Sequence, residues 1–178
     1  MTPNKTHTYL IDASQITIRP MVEADLPALE WDGEYSHFRK VYAQHFRSME
    51  NGNTMIWVAD SDSNGPIGQL FILLYSQKLE LADGIHRAYI FSFRIKPEYR
   101  NHGLGTFMLS VAESDLKARG FTTIRLNVAR TNLQARRLYE KLGYKIFGSD
   151  PGLWSYQDQH CVWQTIKEPA WKMLKLLT

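Results

Sequence analysis

The chain has almost no cysteine and no long apolar run. Cys161 is the only cysteine among 178 residues, so no disulfide can form within the chain, and a reducing, cytoplasmic location is expected. The longest strongly apolar stretch, Leu70–Tyr75, is far shorter than the roughly 20 residues of a membrane-spanning helix. Residues 1–14 lack the apolar core of a signal peptide and are interpreted as a flexible tail. The composition therefore predicts a globular protein with no membrane partner.

Acidic side chains are scarce in the middle of the chain. Residues 94–145 contain eleven Lys and Arg against four Asp and Glu, a local charge of +7, although the net charge of the whole chain is only +3. This excess favours an anionic ligand. The alternative is chance, together with basic residues at helix ends. The basic residues do not form a continuous run, so nucleic-acid binding is not expected.

The hydrophobic pattern predicts a mixed α/β fold. Two helices are expected within residues 22–49, a third over residues 103–119, and a fourth that begins near Thr131 and ends at Gly143. We interpret residues 15–168 as one domain and residues 169–178 as a terminal helix or tail. The expected strands cover residues 16–20, 54–60, 67–77, 87–95, 122–128, 144–148 and 161–167.

The sequence RNHGLG, Arg100–Gly105, lies between a strand-like and a helix-like run. The first turn of a helix carries unpaired amide groups and a partial positive charge, and glycine lets an anion approach them. Arg100 adds a forked donor that suits phosphate. The motif is not a Walker loop, and Met108 stands where a dinucleotide motif would need its third glycine. The pattern predicts a phosphate cradle, or else a tight turn that needs glycine conformations.

The segment IKPEYRNHGLG resembles the acyl-CoA-binding signature of the GNAT N-acetyltransferase superfamily, R/Q-x-x-G-x-G/A. Leu126–Gly148 resembles a later motif of that family, with Asn132, Ala135, Leu138, Tyr139, Gly143 and Tyr144 in register. The resemblance implies a twisted, mostly antiparallel sheet of about seven strands with about four helices. It also implies that two central strands splay apart at a bulge.

The resemblance further implies acetyl-CoA as cosubstrate, with no metal. The exposed backbone of Phe93, Arg94 and Ile95 would pair with the pantetheine arm. Asn132 would contact the CoA arm, or cap its helix, or do both. The turn that would supply amide groups to the pyrophosphate consists of Arg100, Asn101, His102, Gly103, Leu104 and Gly105.

Tyr139 occupies the place where the family often has a tyrosine that protonates the departing thiolate, although its apolar helical spacing also fits a core tyrosine. Other members use a glutamate as general base, but Tyr89 and Asn127 stand at those two places. A water chain is one alternative. The other is a side chain from the first two helices, namely Glu30, Glu34, His37 or His45.

The implied activity is transfer of an acetyl group to a primary amine of a small molecule or peptide, through a tetrahedral intermediate. Asp32 and Glu34 could attract a cationic amine, and a non-catalytic acyl-CoA-binding sensor is the alternative. The terminal segment would pack on the core or join a homodimer. The aromatic residues expected to form the acceptor cleft are Trp31, Tyr35, Trp154 and Tyr156.

Overall fold

The computed structural model describes residues 6–177, which form ten strands and three α-helices. Eight strands make one sheet in the order β1-β2-β3-β4-β5-β6-β10-β7, and β8 pairs with β9 in a separate hairpin. The strands are β1 (His7–Ile11), β2 (Ser14–Pro20), β3 (Thr54–Ser61), β4 (Gly65–Leu73), β5 (Arg87–Ile95), β6 (Thr123–Ala129), β7 (Lys145–Asp150), β8 (Leu153–Gln157), β9 (Trp163–Lys167) and β10 (Ala170–Leu176).

The helices lie where the hydrophobic spacing predicts them, with one change of type. The first predicted helix is a 3₁₀ helix, Glu23–Glu30, which contains Pro27. The α-helices are α1 (Arg39–Glu50), α2 (Leu104–Ala118) and α3 (Leu133–Lys141). Within residues 6–177, no helix is both long and apolar enough to span a membrane.

The mixed α/β class with a mostly antiparallel sheet is confirmed, whereas both chain ends were misjudged. The flexible tail predicted for residues 1–14 is wrong for His7–Ile11, which pairs with β2; residues 1–5 lie outside the described part. The terminal helix or tail predicted for residues 169–178 is also wrong. Ala170–Leu176 forms β10, which lies between β6 and β7 and is antiparallel to both. With β10 in place, the main sheet has eight strands, in agreement with the expected number of about seven.

Two apolar cores lie on opposite faces of the sheet, because side chains alternate along each strand. On β3, Trp57 belongs to the core beneath α2 and α3, whereas Ile56 belongs to the core beneath α1 and the 3₁₀ helix. The buried stripe of α2 includes Met108, Ala112 and Leu116, as its spacing predicts. The sheet therefore separates an α2/α3 side from an α1 side.

The sheet opens between β5 and β6, the only parallel neighbours among the described strands. They pair from Arg87 with Thr123 to Ile90 with Leu126, and there the pairing stops. After Phe91, which still pairs with Phe71 of β4, the two residues Ser92 and Phe93 oppose the single residue Leu70, which makes a β-bulge. Ser92 has a φ of 48°, in the left-handed region that non-glycine residues seldom adopt. The predicted splay at a bulge is thus observed.

The inward position of β10 gives a direct test. Met173 is fully buried and lies between β6 and β7, whereas Leu176 on the same strand is 63% exposed. We expect Met173→Ala to lower the free energy of unfolding by about 2–5 kcal/mol, and Leu176→Ala to change it by less than about 0.5 kcal/mol. Urea unfolding followed by fluorescence measures both values. Equal small effects would contradict an interior strand.

Candidate active site

A cleft of about 750 Å³ lies where β5 and β6 diverge. Its walls are the part of β5 beyond the bulge, the end of β6, and the first turns of α2 and α3. Phe93, Arg94 and Ile95 all line it, and so do Asn127 and Ala129 on the opposite strand. The three β5 residues therefore lie beyond the last pairing with β6, as the resemblance implies for a backbone that meets a pantetheine arm.

The amide groups that open α2 are unpaired. Across the described residues, the first backbone N–H after Arg100 to find a protein acceptor is that of Phe107, which donates to the Gly103 carbonyl at 3.0 Å. Within residues 6–177 the amides of residues 101–106 thus have no protein acceptor, and Asn101, Gly103, Gly105 and Thr106 line the cleft. Such a group of amides at a helix N-terminus is suited to an anion.

The two glycines of the turn, Gly103 and Gly105, differ in whether the fold requires glycine at their positions. Gly103 has a φ of 82°, and a Cβ there would lie 2.5 Å from the Tyr9 hydroxyl oxygen, so the fold itself requires glycine. At Gly105 a Cβ would meet Ile95, Leu138 and Phe93 only at ordinary contact distances of 3.4–3.5 Å. Glycine inside a helix costs about 0.5–1 kcal/mol relative to alanine. The fold therefore does not require glycine at position 105.

Strand β1 supports the turn from behind. The Tyr9 hydroxyl donates to the His102 carbonyl at 2.6 Å, and its ring stacks on Phe107 with 4.9 Å between centroids. The His102 ring bonds the Arg100 carbonyl at 2.7 Å, and Leu104 is buried in the core. The side chains of His102 and Leu104 therefore do not line the cleft, and these two residues can contribute only their amides.

Arg100 and Asn101 tie the turn to its surroundings. Arg100 Nε donates to the Ile95 carbonyl at 2.7 Å, which places the guanidinium between β5 and the turn. The side-chain oxygen of Asn101 accepts from Gln134 Nε2 of α3 at 3.0 Å. Both residues line the cleft, together with Lys141. The basic segment identified from the sequence thus supplies cations to this cleft.

Asn132 caps α3 and also lines the cleft. Its Oδ1 accepts from the Ala135 amide at 3.0 Å, which satisfies one free donor of the first turn. The capping role predicted as one alternative for Asn132 is confirmed, and α3 begins at Leu133 rather than near Thr131. Capping uses the oxygen of the side chain, so it leaves a contact between Asn132 and a ligand compatible with the geometry.

Tyr139 lies at the inner end of the cleft. Only 7% of the residue is exposed, and it meets the Tyr144 ring edge-on at 5.6 Å between centroids. Burial raises the pKa of the Tyr139 phenol well above its usual range, and the nearby Tyr89 adds to this. Burial also raises the pKa of Tyr89 to about 12, helped by Asp150 and opposed by the Asn127 amide. Both phenols therefore stay protonated at neutral pH.

The residues weighed as general base do not line the cleft. Arg39 donates to both carboxylate oxygens of Glu30, at 2.6 and 2.8 Å, and lowers its pKa. Burial lowers the pKa of His45 to about 4, and the side chain lies against Phe91. His37 packs on the Phe38 ring. Glu34 is exposed and outside the cleft.

The predicted aromatic wall forms, though only Tyr35 reaches the cleft. Trp31 contacts the edge of Tyr35, and Phe38 joins Tyr35 to Trp154 and Tyr156 of the β8–β9 hairpin. Phe38, which lies in the 3₁₀ turn Ser36–Phe38 just before α1, was not predicted to belong to this wall. The aromatic group covers the α1 side of the sheet next to the cleft.

Glu168 is a cleft residue that sequence patterns do not identify. It precedes β10, and its amide donates to the Gly152 carbonyl at 2.9 Å. It is the only Asp or Glu among the described residues that line the cleft. No motif marks it, because it comes from a connection far along the chain from the turn. Thr106, Gln134 and Lys141 also line the cleft and were not predicted, although Thr106 directly follows the turn and Gln134 lies two residues after Asn132.

Comparison with known proteins agrees with this geometry. Over 60 residues the chain is 35% identical to [ribosomal protein bS18]-alanine N-acetyltransferase of Escherichia coli K12, a match that spans 34% of this chain and 40% of that protein. The crystal structure of the E. coli ribosomal-protein-S18-alanine N-acetyltransferase has a TM-score of 0.68 at 20% identity, over 92% of this chain and 94% of that one.

A second solved structure, Arabidopsis thaliana NAA60 in complex with acetyl-CoA, has a TM-score of 0.66 at 17% identity and covers 91% of this chain and 98% of that one. At such identities these two structures show the fold alone. The family model described as "Acetyltransferase (GNAT) family" matches residues 19–144, which include both walls of the cleft. The chain belongs to the acetyltransferase (GNAT) family.

Proposed function

We propose that this protein transfers an acetyl group from acetyl-CoA to a primary amine. The observation that supports the proposal is that Asn101, Gly103, Gly105 and Thr106, whose amides have no protein acceptor among the described residues, line the same cleft as Tyr139, a buried and protonated tyrosine. A purely binding module would need the amides but not the tyrosine. Family membership supports the same reaction.

The residues of the cleft fit acetyl-CoA. The amides of the turn would hold the diphosphate, with Arg100 and Lys141 adding positive charge. The open edge of β5 would pair with the amide groups of the pantetheine arm, because its residues beyond the bulge have no partner on β6. The cosubstrate supplies an activated acetyl thioester, which this arrangement would direct toward Tyr139.

Tyr139 would act as the general acid. When the amine nitrogen attacks the thioester carbonyl, the C–S bond breaks and the sulfur leaves as a thiolate, which takes a proton. A phenol that is protonated at neutral pH can donate that proton. The raised pKa of Tyr139 keeps the donor form dominant well above pH 9.

Glu168 would receive the amine. A lysine-like amine has an unperturbed pKa near 10.4 and arrives as an ammonium ion. A carboxylate at the cleft attracts that ion and can take its proton, directly or through water. Glu168 replaces Glu30, Glu34, His37 and His45 as the proposed base, because it is the cleft carboxylate.

The acceptor is proposed only as a primary amine on a small molecule or peptide. One relative acts on the alanine of ribosomal protein bS18, and a structural neighbour is a spermidine N-acetyltransferase chimera. Cys161 is exposed and forms no disulfide, in keeping with the proposed cytoplasmic location. A homodimer stays a prediction.

Gly105→Ala separates ligand binding from folding. We expect acetyl-CoA affinity to fall at least about tenfold, the equivalent of about 1.4 kcal/mol, because the new methyl group would obstruct the cradle. The free energy of unfolding should hold or rise by up to about 1 kcal/mol. Calorimetric titration and urea unfolding measure the two quantities.

Gly148→Ala is the matched control, since Gly148 lies on β7 and its Cβ would only reach Lys172 at 3.9 Å. It should bind acetyl-CoA like the wild type. Unchanged affinity in Gly105→Ala would refute the cradle. Gly103→Ala is a poor test of ligand binding. Residue 103 has a positive φ, so alanine there would also destabilise the fold.

Tyr139→Phe tests the acid. Loss of a general acid costs about 10²–10⁴ in rate, so kcat should fall at least about 100-fold while the KM for acetyl-CoA stays within about twofold. Tyr144→Phe is the control, since its hydroxyl bonds Glu113 at 2.9 Å outside the cleft. That variant should lose only about 1 kcal/mol of stability. An unchanged kcat in Tyr139→Phe would show that Tyr139 is not the general acid.

Glu168→Gln tests the proton acceptor through pH. In the wild type, kcat/KM should rise with pH as the carboxylate and the amine lose protons. In the variant, kcat/KM near pH 7 should fall by at least about tenfold, and part of the loss should be recovered at pH 9, where more amine is neutral. An unaltered pH profile would show that Glu168 takes no part.

A further inference from the structure

Arg94 turns its side chain away from the cradle. Phe93 and Ile95, its neighbours on β5, pack on the α2/α3 side against the position of Gly105. The Arg94 guanidinium carbon instead lies 4.1 Å from the centre of the Tyr35 ring and 5.1 Å from that of Phe38, on the α1 side. Arg94 therefore supplies backbone to one side of the cleft and a cation to the other.

The guanidinium is fixed but not neutralised. Arg94 Nη1 donates to the Tyr42 hydroxyl at 2.5 Å and to Ser92 Oγ at 3.4 Å. Among residues 6–177 its Nε and Nη2 find no protein acceptor, and none of the ion pairs of this part of the chain involves it. A half-buried cation held by rings and hydroxyls gains most from an anion that a ligand brings.

The acceptor side of the cleft thus presents one cation and one carboxylate. Arg94 and Glu168 both line the cleft, and Tyr35 lies between the cation and the aromatic group. Asp32 and Glu34, which were expected to attract a cation, are exposed and do not line the cleft, although Glu34 interacts with the Tyr35 phenol, whose pKa is raised by burial and by Glu34. A polyamine would place several positive charges near Arg94, where they are repelled. An acceptor with an amine and an acid group would match both charges.

We propose that Arg94 is a specificity-determining residue that selects amine acceptors bearing a carboxylate, with Glu168 receiving the amine. This rests on the proposed acetyl transfer. The carboxylate can belong to a free amino acid or to an acidic side chain near the amino terminus of a peptide. Arginine binds a carboxylate through two parallel hydrogen bonds, so the preference is geometric as well as electrostatic.

The experiment compares kcat/KM for two matched acceptor pairs. One pair is alanine and alaninamide, and the other is Ala-Glu-amide and Ala-Gln-amide; spermidine is the polycationic comparison. Each carboxylate-to-carboxamide ratio is measured in the wild type, Arg94→Gln and Arg94→Lys. Comparing ratios between enzymes cancels the intrinsic difference in amine pKa within a pair.

We expect the wild-type ratio of at least one pair to exceed that of Arg94→Gln by about 10- to 100-fold, the usual effect of a hydrogen bond to a charged group. Arg94→Lys should keep part of the preference, because it retains the charge without the fork. The pair that responds identifies the source of the carboxylate. Arg47→Gln, an exposed change on α1, should keep the wild-type ratios.

Equal ratios in the wild type and Arg94→Gln, or a wild-type preference for spermidine, would overturn the proposal. If Arg94→Gln does not fold, the carboxylate-to-carboxamide ratio of Arg94→Lys is compared with that of the wild type instead. A lower ratio in Arg94→Lys supports the proposal, and an equal ratio overturns it. If no amine is acetylated, the proposed transfer fails separately. Calorimetry then compares the binding of N-acetyl-Ala-Glu-amide with that of N-acetyl-Ala-Gln-amide. Tighter binding of the acidic compound that is lost in Arg94→Gln would support the proposed selection. Equal binding of the two compounds would refute it.

Discussion

The bulge at Ser92 is the constraint on which the cleft depends. A parallel pair of strands normally continues its hydrogen bonds along its length, and here the pairing of β5 with β6 ends at Ile90 and Leu126. The extra residue turns β5 away and leaves its edge free, while β6 stays paired with β10. A left-handed serine is costly, by about 1–3 kcal/mol in general, and the sheet on either side holds it in place. Without the bulge the two strands would close, and neither ligand would have a site.

The bulge also makes the two faces of the sheet chemically different at the cleft. On the α2/α3 side, the amides of the turn, Gly105 and Arg100 would form the proposed anion site. On the α1 side, aromatic rings surround Arg94 next to the cleft that Glu168 also lines. Tyr139 lies at the inner end between them. The charges proposed to bind phosphate and those proposed to bind the acceptor are thus separated by β5, the strand that both ligands would touch.

The sequence allowed the central part of the fold to be predicted, because its signals are local. The apolar stripe of α2, the glycine turn and the strand before it lie within about thirty residues, and their periodicity identifies them. The prediction failed at both chain ends, for different reasons. The hairpin of β1 with β2 turns at Asp12 and Ala13, which have positive φ although neither is glycine, so the usual turn signal is missing. The place of β10 depends on β6 and β7, which precede it by many residues. Lys172, Lys175 and the exposed Leu176 make β10 look like an amphipathic helix or tail, although Met173 is buried between strands. Glu168 and the orientation of Arg94 could not be predicted for a similar reason, since tertiary packing alone brings them to the cleft.

The central claim is that the unpaired amides of residues 101–106 bind the diphosphate of CoA. A crystal structure of the protein with CoA measures this directly. We expect diphosphate oxygens within about 3.2 Å of several of these amide nitrogens, the range of N–H···O hydrogen bonds. A diphosphate bound elsewhere on the protein, or the same amides bonded to protein atoms in the complex, would contradict the claim.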